Sequence, residues 1–204
     1  MNAPAKPWDA RLAATLVRPL CHTPVSPNVL TTVRLAVGLL GAYVFATGRH
    51  PNLAAAIIVL SNFLDHTDGE LARMSGKTSR FGHLYDLASD AVVTIGLFAC
   101  IGIGLTQALG DGAIVMGMVA GLAVAGIFHL RYLIEDAHGK VATAQPRLAG
   151  FEAEDILYLL PLVTLADGLP LFLKAAAIGA PIAFLIVLAQ FAALRRRPGP
   201  GASA

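Results

Sequence analysis

Cysteine is nearly absent: Cys21 and Cys100 are the only two in 204 residues. Their positions offer neither a disulfide framework nor a zinc-ligand spacing, and they read as small apolar residues packed in place. Charge is scarce as well. Only 14% of residues are Asp, Glu, Lys or Arg, against 56% hydrophobic, and the mean hydropathy is +0.67. An ordinary soluble domain carries about 25% charged residues, so that class is excluded. The formal net charge of +2 is too small to argue for a nucleic-acid partner. No internal repeat of about 20–50 residues is visible. Residues 1–7 hold no apolar core of signal-peptide length, so no cleaved leader is expected.

What is present is a series of apolar runs of membrane-spanning length, near 28–47, 52–73, 82–107, 113–134, 153–169 and 171–194. They predict an all-α integral membrane protein of six transmembrane helices. The expected division is an N-terminal amphipathic segment at 1–27, a transmembrane domain at 28–197 and a disordered Pro/Gly-rich tail at 198–204. From Trp8 to Leu20 a helix gathers Trp8, Leu12, Leu16, Val17 and Leu20 opposite Arg11, Thr15 and Arg18. That pattern suits a helix lying on an anionic membrane surface. Gly117 and Gly121 form a small-x3-small pair for close helix packing. With six spans, 13 of the 15 Lys and Arg residues share one side, leaving Arg49 and Lys174 opposite. The positive-inside rule then puts both termini in the cytoplasm.

The polar exceptions are concentrated. At about 100° per residue, Asp65, Asp68, Gly69 and Ala72 share one face of the second span. Gly82, Asp86 and Asp90 form a narrow stripe on the third. Helix caps and surface charges are the plain alternative. However, an aspartate costs about 2.5–3.5 kcal/mol at a bilayer centre, and intramembrane acids usually mark ion or substrate sites. Clustered carboxylates repel unless cations lie between them, and all-oxygen ligation suits Mg²⁺ or Mn²⁺ rather than zinc. Near the water interface such ions serve phosphate chemistry. Gly69, Ala72 and Gly82 leave space either for a ligand or for a neighbouring helix. Arg73 and Arg80 either contact phosphate or flank helix ends. Arg34 either snorkels to the interface or reaches a phosphate or a neighbouring helix. A cation or proton relay is the competing function, but from Ala91 to Ile101, beyond Asp90, only Thr94 is polar.

The spacing D-x2-D-G-x2-A-R-x8-G-x3-D-x3-D is met without gap or substitution by Asp65, Asp68, Gly69, Ala72, Arg73, Gly82, Asp86 and Asp90. It resembles the signature of the CDP-alcohol phosphotransferase family, integral-membrane enzymes of phospholipid synthesis. The resemblance implies that 28–197 is a catalytic domain. Its reaction would move a substituted phosphoryl group from a CDP-linked donor, usually CDP-diacylglycerol in bacteria, to an alcohol, releasing CMP. Carried over, Asp65, Asp68 and Asp86 are ligands of a two-metal Mg²⁺ or Mn²⁺ centre. Asp90 is the base, also near the second metal, and Gly69, Ala72, Arg73 and Gly82 form the CDP pocket. The family often has a polar Pro-Asn and an arginine at the places of Asn28 and Arg34. These two, with Arg80, Arg131 and Arg147, are candidate phosphate or acceptor contacts. Members making phosphatidylglycerol phosphate usually carry proline and lysine where this chain has Leu87 and Ala91, which counts against that acceptor. Inositol phosphate would suit Arg131, Lys140 and Arg147, which positive-inside topology explains equally well; Glu152, Glu154 and Asp155 either oppose an anionic acceptor or complement a helix N-terminus. The implied partners are the donor, the acceptor and membrane lipids, with a homodimer compatible. The implied location is the cytoplasmic membrane, with the site facing the cytoplasm.

Overall fold

The computed structural model describes residues 8–138 and 157–196, and all regular structure in them is helical. Helix α1 (Trp8–Val17) runs into a 3-10 turn at Arg18–His22 that carries a proline in its first positions. Helix α2 (Pro27–Ala46) opens on Pro27, whose missing N–H and fixed φ suit a first helical position. Pro51 opens α3 (Pro51–Ser75) in the same way. Gly76, at a left-handed φ of 65°, stops α3. The Ser79 hydroxyl then accepts from the Gly82 N–H at 2.9 Å and caps α4 (Arg80–Gly104). A single turn, α5 (Thr106–Leu109), leads to α6 (Gly112–His138). The short α7 (Leu160–Leu165) and the long α8 (Leu169–Arg196) complete the described chain.

Helix α2 lies against both α3 and α4, α4 carries α6, α6 carries α8, and α1 runs along α3. Phe45, Ile58, Leu97, Phe98, Ile101 and Leu173 form the core between them. Gly117 and Gly121 perform the packing expected of them. A Cβ on Gly121 would lie 3.0 Å from the Ile95 Cα, and one on Gly117 would run into the Phe98 carbonyl. The outer surface is apolar: Leu171, Ile178, Leu185 and Ile186 of α8 are all exposed. Such a surface suits lipid, where van der Waals packing rather than water exclusion holds helices together.

Among the described residues four helices, α2, α4, α6 and α8, are long and apolar enough to cross a membrane. Helix α3 has the same 25 residues as α4, about 37 Å of length. It falls short only in composition, because its second half carries Asn62, Asp65, His66, Asp68, Glu70 and Arg73. The expected span at 153–169 is not one helix within the described residues. Leu157–Leu159 form a 3-10 turn, α7 has six residues with Pro161 in its first turn, and Asp167 adopts a φ of 52°. Residues 153–156, the loop before them and the tail 198–204 lie outside the described residues. In α1, Leu12 and Leu16 are exposed as a surface helix requires, but Val17 is buried with Ala13 rather than sharing their face.

Candidate active site

The polar half of α3 and the first half of α4 come from the same end of the bundle, joined by the four residues 76–79. Asp65 and Asp90 each stand ten residues from that loop's helix ends, about 15 Å along the axis. All four aspartates converge on one point, and at that point sits Arg34 of α2. Its Nη1 lies 2.7 Å from Asp65 Oδ1 and also donates to Asp90 Oδ1. Its Nη2 donates to Asp86 Oδ1 at 2.6 Å and to the Asp86 carbonyl at 3.1 Å. Its Nε is buried without a well-aligned acceptor, 3.4 Å from Asp68 Oδ2. Only 4% of the Arg34 side chain is exposed, which rules out snorkelling. Four carboxylates around one guanidinium leave a formal excess of three negative charges.

Helix α2 contributes more than Arg34. Thr31 Oγ1 donates to Asp68 Oδ2 at 2.8 Å, and both side chains are buried. The Ser61 hydroxyl donates to the Arg34 carbonyl at 2.9 Å, fixing α2 against α3 at this level. Thr31 was not among the expected site residues. Its signal was available: it stands three residues from both Asn28 and Arg34, so all three fall on adjoining parts of one helix face. Asn28 Oδ1 lies 2.8 Å from where a Gly82 Cβ would stand, with Ser79 Oγ at 3.0 Å. Close helix approach therefore accounts for Gly82. Gly69 differs, because a Cβ there would meet only the Arg73 guanidinium, at an ordinary 3.5 Å. No packing contact explains that glycine, and Ala72 beside it is half-buried.

Arg73 is largely exposed, and its Nη2 donates to Glu70 Oε1 at 2.9 Å. Glu70, at a variable motif position, is buried and was also missed; its three-residue spacing to Arg73 was the readable sign. Arg80 is exposed at the start of α4. Arg131 is half-buried on α6, whose next residue, Tyr132, packs its ring 4.7 Å from that of His83 on α4. Arg147, Lys140, Glu152, Glu154 and Asp155 lie outside the described residues.

The donor set fits a hard divalent cation. One oxygen from each of Asp65, Asp68 and Asp86 lies within 4.8 Å of the others. Opposed oxygens around Mg²⁺ at about 2.1 Å stand about 4.2 Å apart, so small side-chain rotations would close the set. The guanidinium at the same point is a stand-in that shows the carboxylates accept a cation there. Deeper in the bundle, Thr94 gives way to buried, apolar Leu97, Phe98 and Ile101. A cavity of about 260 Å³ at the opposite end, lined by Phe45, Ile101 and Asp167 among others, has no part in this cluster.

Four helices able to span a membrane, with a cluster of carboxylates between them, define an integral-membrane protein with a candidate cation site. The sequence profile of the CDP-alcohol phosphatidyltransferases matches residues 24–194. The chain belongs to the CDP-alcohol phosphatidyltransferase family, and it is a multi-pass membrane protein. It is 38% identical over 77 residues to the archaetidylinositol phosphate synthase of Pyrococcus horikoshii, covering 36% of this chain and 40% of that protein. It is 34% identical over 99 residues to the bifunctional IPC transferase and DIPP synthase of Rubrobacter xylanophilus, covering 47% of this chain and 22% of that one. The matches thus span less than half of these relatives' own lengths. The fold is similar to that of the phosphatidylinositol phosphate synthase of Mycobacterium tuberculosis, solved with CDP-DAG bound. The TM-score is 0.69 at 19% identity, over 89% of this chain and 94% of that one.

Proposed function

We propose that this chain moves a substituted phosphoryl group, phosphatidyl in the first instance, from a CDP-linked donor such as CDP-diacylglycerol to an alcohol, releasing CMP. The observation that carries the reading is the convergence of Asp65, Asp68, Asp86 and Asp90 from two helices at one end of the bundle. In this reading Asp65, Asp68 and Asp86 hold Mg²⁺ or Mn²⁺, with Asp90 beside a second ion. Bound there, the ions would offset the charge of phosphate oxygens and of the departing CMP.

Asp90 acts as the base. Its carboxylate takes the hydroxyl proton as the alcohol oxygen bonds to phosphorus, and the bond from phosphorus to CMP breaks with its electrons leaving on CMP. Its side chain is the most exposed of the four, at 41%, which supports access for an acceptor. The lack of backbone or packed side chains against Gly69, where a Cβ would meet only the mobile end of Arg73, supports a CDP pocket with Ala72 and Gly82 at its edge. Asn28, Arg80 and Arg131 stand at the same end of the bundle as candidate contacts to phosphate or acceptor. The reading includes six spans, with the site and both termini in the cytoplasm, where nucleotides are available.

The test is an assay of the purified full-length chain with CDP-diacylglycerol, Mg²⁺ or Mn²⁺, and a panel of alcohols including glycerol phosphate and inositol phosphate. CMP release that depends on one alcohol is the expected result. No CMP release from any CDP-linked donor would contradict the proposal.

A further inference from the structure

Every carboxylate that would hold a divalent ion is already engaged by a cation of the chain itself. Arg34 reaches Asp65 Oδ1 at 2.7 Å, Asp86 Oδ1 at 2.6 Å and Asp68 Oδ2 at 3.4 Å. Those three residues are the set whose oxygens cluster within 4.8 Å. A guanidinium and a divalent ion cannot both occupy the space between the same oxygens, and at this range they repel each other. We propose that Arg34 is a built-in counter-cation that competes with divalent ions for Asp65, Asp68 and Asp86. This rests on the metal-site reading of the preceding section.

The geometry specifies how the competition is arranged. The Arg34 backbone is held by Ser61 Oγ at 2.9 Å, so it is the side chain and not the helix that must yield. Asp90 stands outside the clustered trio, and Arg34 Nη1 already donates to it. The side chain can therefore release the trio to a first ion while still paired to Asp90, and it leaves Asp90 in turn when that carboxylate meets a second ion or acts as the base. The planar fork with five donors is what allows one side chain to hold four acids. A lysine, with a compact point charge, cannot span them. Without a cation of its own, the cluster would hold four acids in mutual repulsion whenever no ion was bound. Arg34 thus keeps the unloaded bundle together, at the cost of weaker ion binding.

The experiment measures Mn²⁺ binding by calorimetry and thermal unfolding on the purified full-length protein in detergent, stripped with chelator and then reloaded. It compares wild type, Arg34→Gln and Arg34→Lys. The competition predicts that Arg34→Gln binds Mn²⁺ about tenfold more tightly than wild type, melts at a lower temperature when stripped, and gains more in melting temperature on reloading. Arg34→Lys should fall between the two on all three readings. If Arg34→Gln does not stay folded when stripped, the decision rests on Arg34→Lys, with tighter Mn²⁺ binding than wild type again expected. Equal or weaker Mn²⁺ binding by the folded variants, with wild type binding normally, would overturn the inference and leave the metal site standing. Failure of wild type itself to bind Mn²⁺ would overturn both.

Discussion

At the scale of single residues, two glycines of one motif separate by what surrounds them. An added Cβ on Gly82 would stand 2.8 Å from Asn28 Oδ1 and 3.0 Å from Ser79 Oγ, so these side-chain ends, the helix cap included, must shift. Gly82→Ala should therefore lower stability by about 1 kcal/mol, the low end of the cost of overpacking, measured by unfolding in detergent. Gly69→Ala should leave the melting temperature unchanged and weaken CDP binding instead. A destabilised Gly69→Ala with normal CDP affinity would reverse those roles. Among the acids, Asp90→Asn should lose turnover by about 10²–10⁴-fold, the range for a lost general base, while retaining CDP binding. Asp65→Asn and Asp86→Asn should instead be partly rescued by excess Mg²⁺. Rescue of Asp90→Asn by Mg²⁺ would make it a ligand rather than the base. The four acids were legible because carboxylates in an apolar run stand out. Arg34 as their hub was not, since the sequence leaves an arginine near a helix start free to snorkel, and only packing of α2 between α3 and α4 decides its direction. Thr31 was hidden for a similar reason: a threonine in a membrane helix ordinarily bonds its own backbone, as this one also does to the Pro27 carbonyl at 3.2 Å.

At the scale of elements, helix starts and stops followed their punctuation closely. Pro27, Pro51, Gly76 and the Ser79 cap set α2, α3 and α4 within a few residues of their expected ends. The run at 153–169 read differently, because apolar composition alone does not distinguish a spanning helix from a short helix between turns. Pro161 and the positive φ of Asp167 break the described part of it. The loop 76–79 is tied down as well: Lys77 Nζ donates to the carbonyls of Thr23 at 2.9 Å and Val25 at 3.2 Å. This joins the turn between the two acid-bearing helices to the segment leading into α2. The α4–α6 seam leaves no room for side chains at Gly117 and Gly121, and Gly121→Leu should disrupt it. A large drop in melting temperature is expected, with loss of activity following loss of fold. An unchanged melting temperature would show that α6 does not pack on α4 through this pair.

At the scale of the whole molecule, apolar residues cover the outside and the four clustered acids lie toward one end. The core of Phe45, Ile58, Leu97 and Ile101 closes the bundle beneath the acids, so the cluster opens in one direction. Cysteine labelling on a background lacking Cys21 and Cys100 should report position 77 as cytoplasmic, with 49 and 174 on the far face. The reverse pattern would separate the site from its nucleotide donor. The central claim, that these carboxylates form a cation-dependent phosphotransfer centre, is tested most directly by CMP release from CDP-diacylglycerol under metal titration. Chelator should abolish release, and added Mg²⁺ or Mn²⁺ should restore it in wild type. Asp86→Asn should need higher metal concentrations to approach the same rate. Full release in excess chelator from protein that retains no metal would contradict the account.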